Sequence, residues 1–247
     1  MPRFFVTSSQ IENGMVTLLG GDAHHISRSL RMAKGEEITV SDMQNNEYIC
    51  RLEEFLPDRV LATVLETRKG DTEPPFELVL FQALPKGDKL DTVIQKAVEC
   101  GTSGIVPFES ERCIVHIKKE AEAHKTERRQ RIAAEAAKQC GRGVIPLVNP
   151  SVSFGEMLKA AGRADLALFC YEGDGTVPIG KLLSGVRPGA VRRIAVIVGS
   201  EGGFSLCEAE QARAAGFLMT GLGKRILRTE TAAIFALAAI SAVTELS

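Results

Sequence analysis

Two stretches near the end of the chain decide how it is read. The first is Ile194-Ala-Val-Ile-Val198, followed by Gly199-Ser-Glu-Gly-Gly203 and Ser205-Leu-Cys-Glu208. The second is Gly221-Leu-Gly-Lys-Arg-Ile-Leu-Arg-Thr-Glu230, running into the apolar segment Thr231 to Leu246. A five-residue apolar run stopped by glycine reads as a buried parallel strand, and Ser205 with Glu208 three residues on is a capping box that opens a helix. Both stretches are therefore strand, glycine loop, helix units. Ligands of open α/β sheets collect beyond the carboxyl ends of strands, where glycine lets backbone approach them closely. A tight turn alone would explain one such loop. It does not explain Arg225, Arg228, Thr229 and Glu230 crowded onto the second.

Working back toward the start, strands and helices alternate. Phe76 to Leu84 predicts a strand, and Lys89 to Cys100 a helix whose Leu90, Val93, Ile94, Ala97 and Val98 fall on one face. Gly104 to Pro107 and Leu166 to Cys170 predict further strands, and Lys118 to Gly141 a long helix. The order implies a mainly parallel sheet, an α/β fold.

Lys69-Gly-Asp-Thr-Glu-Pro-Pro75 breaks the pattern, and before it the chain is made of short β-like pieces. Phe4 to Val6, Met15 to Leu19, Glu37 to Val40, Glu47 to Leu52 and Arg59 to Leu65 are separated by turn signals such as Asn13-Gly14 and Pro57-Asp58, which suggests a small β-barrel. A helix is expected from about Asp22 to Met32. On it His24, Arg28 and Arg31 would share a basic face while Ala23, Ile26, Leu30 and Ala33 pack inward. Arg112 to Arg142 carries nine Lys or Arg against four Glu, a second basic stretch. The expected division is residues 1–72 and 73–247.

Composition bounds the function. Of 247 residues, 25% are charged and 45% hydrophobic, as in a folded globular protein. No apolar run is long enough for a membrane span and the start lacks a signal-like stretch, so a cytoplasmic protein without membrane contact is expected. The six cysteines are widely spaced with no Cys-x-x-Cys pair, and His24 and His25 are adjacent, so no metal site is expected. The dinucleotide fingerprint, the phosphate loop and the nucleophile elbow are all absent. What remains is a ligand cradled by glycine-loop backbone beside arginines suited to an anionic or nucleic-acid substrate. Methyl transfer fits that inventory.

Arg3-Phe-Phe-Val6, Asp22-Ala-His-His25, Ala83-Leu-Pro-Lys-Gly-Asp88, Ile94-Gln-Lys-Ala97, Glu135 to Arg142, Glu201-Gly-Gly-Phe-Ser205 and Arg225-Ile-Leu-Arg-Thr-Glu-Thr-Ala-Ala233 together resemble, in order along the whole chain, the ribosomal RNA small-subunit methyltransferase E family. The resemblance implies a PUA-like β-barrel ahead of a SPOUT domain with a trefoil knot. It further implies a homodimer and an S-adenosylmethionine-dependent enzyme that methylates N3 of a uridine in 16S rRNA of the small ribosomal subunit. It assigns Tyr171, Glu172, Gly199, Glu201, Gly202, Gly221, Leu222, Gly223, Ile226 and Leu227 to the cofactor. For the chemical step Arg228 is expected to stabilise a developing uridine anion, and Glu230 to orient Arg228 rather than accept the proton or cap the final helix. Arg3, His24, His25, Arg28 and Arg31 fall to RNA, with Gln139 and Arg142 reaching a partner subunit's site. One departure is Ser200, where the family commonly has proline; losing the ring frees φ in that loop. Two other readings stand beside the enzyme: a non-catalytic RNA-binding protein that keeps the basic surfaces, and a nucleotide-dependent metabolic enzyme, which leaves the basic helix unexplained.

Overall fold

The structure, a computed structural model, describes residues 1–184 and 191–245. The chain divides into two compact units, Met1–Glu73 with Ala137–Ile145, and Pro74–Ala136 with Pro146–Ser247.

The first unit is a six-stranded sheet of β1 (Arg3–Phe5), β2 (Ile11–Glu12), β3 (Met15–Leu19), β4 (Glu37–Ser41), β5 (Asn46–Phe55) and β6 (Arg59–Lys69). The strand order is β1-β4-β5-β6-β3-β2. Every pairing is antiparallel except β1 with β4. Asn13 (φ 51°) and Gly14 (φ 75°) form the two-residue turn between β2 and β3, and both have the left-handed backbone that such hairpin loops require. On β3, Val16 and Leu18 point into the core while Met15 and Thr17 stay partly open, the period-two pattern of a one-sided sheet. Phe4, Ile38, Val40, Cys50, Leu52 and Val60 close that core.

The helix in this unit departs from expectation at both ends. It starts at Gly20 as α1 (Gly20–His24) and continues as a π-helical turn, His25–Ser29, after which the helix stops. Leu30 donates its backbone N–H to the His25 carbonyl, a five-residue step, so a spacing of 3.6 residues no longer predicts which side chains share a face. Ala23 and Ile26 are buried as expected, but Leu30 and Ala33 are exposed. Arg31, with φ 52°, lies beyond the helix and is not on one helical face with His24 and Arg28.

In the second unit the sheet runs β10-β8-β7-β13-β11-β14-β12, and β9 pairs with β8. The strands are β7 (Glu77–Ala83), β8 (Gly104–Glu109), β9 (Leu147–Val148), β10 (Val152–Ser153), β11 (Leu166–Cys170), β12 (Val177–Pro178), β13 (Arg193–Val198) and β14 (Leu218–Gly221). All pairings are parallel. β7 and β13 lie in the interior, and Leu78 to Ala83 and Ile194 to Val198 are buried without alternation. The helices are α2 (Lys89–Glu99), α3 (Lys119–Cys140), α4 (Phe154–Ala161), α5 (Ile179–Leu183), α6 (Leu206–Ala214) and α7 (Thr229–Thr244). α6 is capped as the sequence indicates: Ser205 accepts from the Glu208 backbone, and the Glu208 carboxylate accepts from that of Ser205. α7 begins two residues before the expected Thr231, with Arg228 as its N-cap. Its expected end, Leu246, lies outside the described residues. Among the described residues no helix is long and apolar enough to cross a membrane.

Ion pairs consume much of the expected basic surface between Arg112 and Arg142. Arg128 forms a two-pronged pair with Asp91, and Arg129 meets Glu122 in the interior of the second unit. In the first unit Lys138 meets Asp22 at 3.1 Å.

The first unit's most demanding charge is Glu47, whose side chain is only 4% exposed and lies 2.6 Å from Arg3 and 3.0 Å from Arg68. Burial pushes its carboxyl up, but the hydrogen bonds and charges of Arg3 and Arg68 outweigh that and hold it below the usual glutamate range. A depressed folded-state value means that the stabilisation is present above the unfolded value and lost as pH falls through the folded one. Glu47→Gln should therefore cost roughly 3 kcal/mol at neutral pH by stranding a guanidinium. The gap to the parent chain should narrow below about pH 5. Urea unfolding at several pH values checks this; a gap that does not change with pH would show that Glu47 does not carry acid sensitivity.

Candidate active site

Because β13, β11 and β14 are adjacent and parallel, the loops that follow them emerge on the same side of the sheet. Together these loops enclose one cavity of about 650 Å³, bordered by Cys170–Gly173, Gly199–Phe204 and Gly221–Thr229. Gly199 and Gly202 are required for space, and Gly203 and Gly223 for their positive φ. A Cβ on Gly199 would stand 3.1 Å from the Phe204 ring and 3.2 Å from the Gly203 backbone. One on Gly202 would stand 2.9 Å from Arg112 Cβ. Gly203 (φ 63°) closes the loop on itself, donating to the Ser200 carbonyl at 2.9 Å. Phe204 anchors the loop from below, its ring 4.2 Å from that of Phe169 on β11. In the third loop Gly223 adopts φ 108°, and a side chain there would meet nothing within 4 Å, so bare backbone edges the cavity.

All ten residues that the resemblance assigns to the cofactor border this cavity, and so does Arg228. Glu230 does not. It sits in the first turn of α7, and its closest cationic neighbour is Lys89, 3.9 Å away, rather than Arg228. Lys89 is a site residue that the sequence reading missed. Its ammonium borders the cavity and binds the Glu201 carboxylate at 2.6 Å, while the Lys86 backbone N–H donates to the same carboxylate. Glu201 thus latches the first glycine loop to the start of α2. Burial raises its carboxyl, but Lys89 and the backbone donors prevail and hold it below the ordinary value. A lysine as the first residue of a helix opposes the helix dipole, and that misfit was the available signal.

Arg112, on the segment after β8, is a second omission. Its guanidinium donates to the Gly202 carbonyl at 3.1 Å and borders the same cavity. Cys170 also borders it, but burial pushes its thiol up to about 12, so it stays protonated and is no nucleophile at neutral pH. Among the described residues no group of three His, Cys, Asp or Glu could hold a metal ion.

Comparison with known proteins now bears on this arrangement. Residues 72–241 match the family described as RNA methyltransferase domain, and residues 18–65 match the RNA methyltransferase PUA domain. The chain is 34% identical to ribosomal RNA small subunit methyltransferase E of Bacillus subtilis, over 100% of this chain and 98% of that protein. It belongs to the ribosomal RNA small subunit methyltransferase E family. Among solved structures of relatives, the Neisseria gonorrhoeae methyltransferase E bound to S-adenosyl methionine matches with a TM-score of 0.82 at 34% identity, covering 98% of this chain and 97% of that one. A putative methyltransferase from Legionella pneumophila, in complex with bound cofactor SAM, matches at 0.85 and 31%, covering 97% and 96%. The architecture is a PUA-like β-barrel followed by a SPOUT methyltransferase domain.

The residues assigned to RNA separate into two groups. His24, His25, Arg28 and Arg31 are exposed on the first unit, and Gln139 is exposed on the last turn of α3. Arg3 and Arg142 are not available in that way. Arg3 is spent on Glu47 and the Arg142 carbonyl, and Arg142 is buried with its guanidinium held in two-pronged fashion by Glu73 at 2.8 and 2.6 Å. The chain's own acidic residues claim both arginines as internal struts, which residue type and spacing alone do not reveal.

Proposed function

We propose that this chain binds S-adenosylmethionine in the 650 Å³ cavity and methylates N3 of a uridine in 16S rRNA of the small ribosomal subunit. The observation that carries the reading is the convergence of three glycine-containing loops and Arg228 on one cavity in a member of this family. The volume is that of a small-molecule site, and glycine-loop backbone offers the N–H and C=O groups that an adenosine needs. Leu222, Ile226 and Leu227 supply apolar contact, and Tyr171, Glu172, Gly199 and Gly221 the polar rim. Bound there, the cofactor supplies an electrophilic methyl group on a sulfonium.

Uridine N3 carries a proton at neutral pH, which must leave to solvent while N3 takes the methyl group from the sulfonium and leaves a neutral thioether behind. The site must therefore stabilise the developing uridine anion. Arg228 suits this twice over. Among the described residues it has no ion-pair partner, and it is the N-cap of a sixteen-residue helix, whose positive end adds to the guanidinium charge. Arginine there works against helix stability, and the catalytic demand explains why it is tolerated. Glu230, in the first turn, stabilises that helix end and offsets Lys89.

Nucleoside mass mapping of 16S rRNA from a strain lacking the gene should show one 3-methyluridine lost; an unchanged map would overturn the assignment. A chain that binds RNA but gives no calorimetric signal with S-adenosylmethionine would instead be the non-catalytic RNA-binding protein. Arg228→Ala should slow single-turnover methylation by about 10²-fold while barely altering cofactor affinity. A collapse of cofactor binding would move Arg228 from catalysis to the pocket.

The first unit meets RNA phosphates through His24, His25, Arg28 and Arg31. Arg28→Ala with Arg31→Ala should lower the log-log salt slope of RNA binding by roughly 0.7 to 0.9 per lost contact. A slope equal to that of the parent chain would remove this face from the interface.

The second unit, Pro74–Ala136 with Pro146–Ser247, pairs with a second copy through α7. From Ala232 to Ile240 that helix is apolar on all sides, yet Phe235 and Ala238 are exposed along one stripe that continues to Ala242. Phe235→Glu should shift sedimentation at micromolar concentration from dimer to monomer, and a parent chain that is already monomeric and fully active would exclude the pairing.

A further inference from the structure

Gln82 is out of place. It follows Leu78, Val79, Leu80 and Phe81 on β7, a strand buried on both faces, and it is itself completely buried. Buried polar groups are retained where their hydrogen bonds do something an apolar side chain cannot. Its amide nitrogen lies 2.9 Å from Thr229 Oγ1, 3.3 Å from the Gly199 carbonyl and 2.9 Å from the Ala83 carbonyl. Thr229 Oγ1 in turn donates to the Gly199 carbonyl at 2.6 Å.

The direction of this chain of bonds follows from the donors. The amide nitrogen carries only protons, so the threonine hydroxyl must accept from it and has one proton left, which goes to Gly199. Turning the amide over would set its oxygen against two carbonyl oxygens, so the neighbours fix its orientation. Gln82 Oε1, by contrast, has no partner among the described residues. The demand on Gln82 therefore falls on its nitrogen.

The bonds join parts of the chain that share one site. Gly199 opens the first glycine loop, Thr229 is the first residue of α7 between Arg228 and Glu230, and both border the cavity. Gln82, at the carboxyl end of the neighbouring strand, lies behind them beside Val198 in register.

We propose that Gln82 and Thr229 are positioning residues for methyl transfer: their hydrogen-bond bridge clamps the start of α7 to the first glycine loop and so sets where the Arg228 guanidinium stands relative to the cofactor. This rests on the reading of the cavity as an S-adenosylmethionine site. Neither side chain acts on the substrate. Their effect is geometric, and a small misplacement of a catalytic group is costly.

The test uses Thr229→Val, which keeps the shape and removes the hydroxyl, Thr229→Ser, which restores it, Gln82→Met, and the Thr229→Val/Gln82→Met double variant. In the free protein, amide hydrogen exchange over residues 199–203 and 225–230 should quicken about tenfold in Thr229→Val and Gln82→Met, remain at the parent rate in Thr229→Ser, and be unaltered in the first unit. With saturating cofactor, single-turnover methylation of 16S rRNA should fall about tenfold in each of those two variants, with KM for S-adenosylmethionine changing less than about threefold. The double variant should be no slower than the worse single one, because both changes break one bridge. Parent-like exchange in both loops, parent-like rates, or losses that multiply would each overturn the proposal. A parent chain that binds no S-adenosylmethionine in calorimetry would sink the reading of the cavity instead, while the exchange comparison would still report whether the bridge ties the two loops.

Discussion

Strand β13 has no solvent to fall back on. Ile194 to Val198 are essentially sealed off, so every backbone N–H and C=O in that run must be paired within the sheet. The pairing is met by β7 on one side, in unbroken register from Arg193 opposite Glu77 to Val198 opposite Gln82, and by β11 on the other. Those ladders leave the strands no freedom to slide. They fix the level at which β13 ends, and with it the level at which Gly199, Cys170 and Gly221 leave the sheet. The cavity is thus a consequence of where three strands run out. Phe204, packed against Phe169, carries the rigidity of the sheet into the first glycine loop.

Upon that frame the electrostatics are arranged against ordinary helix preference. Two helices bordering the site start with a cation, Lys89 on α2 and Arg228 before α7, where acidic groups are normally favoured. Of these two, only Lys89 is ion-paired among the described residues. Glu201 takes the charge of Lys89, and Glu230 sits within the first turn of α7. The result is a cavity in which positive charge is held in place without being neutralised at Arg228.

Much of this was legible from residue order, for reasons that can be named. Apolar runs ended by glycine gave β13 and the loop at Gly199, and Ser205 with Glu208 gave the start of α6 to the residue. Asn13-Gly14 gave its hairpin because few dipeptides tolerate left-handed backbone twice in succession. The same logic applied to Ser153 and Glu156 would have found α4, whose capping box is equally explicit and went unread. Failure came where a pattern assumed a fixed period. The π-helical turn at His25–Ser29 broke the helical count, so Leu30, Ala33 and Arg31 were misplaced. It came again where partners are distant in sequence: nothing near Arg142 announces Glu73, and nothing near Gln82 announces Thr229, 147 positions away.

The return of Ala137–Ile145 to the first unit bears on how the protein can be taken apart. Ser41 donates its hydroxyl to the Gly143 carbonyl, Glu73 accepts from the Gly143 backbone as well as from Arg142, and Arg3 reaches the Arg142 carbonyl. The barrel is therefore not a linear cassette. A gene fragment ending at the Lys69–Pro75 break would translate into a barrel lacking Ala137–Ile145, with Ser41 and Glu73 stripped of these partners and Arg3 left with Glu47 alone. A cut at that break therefore does not separate the two units, because part of the first is encoded inside the second.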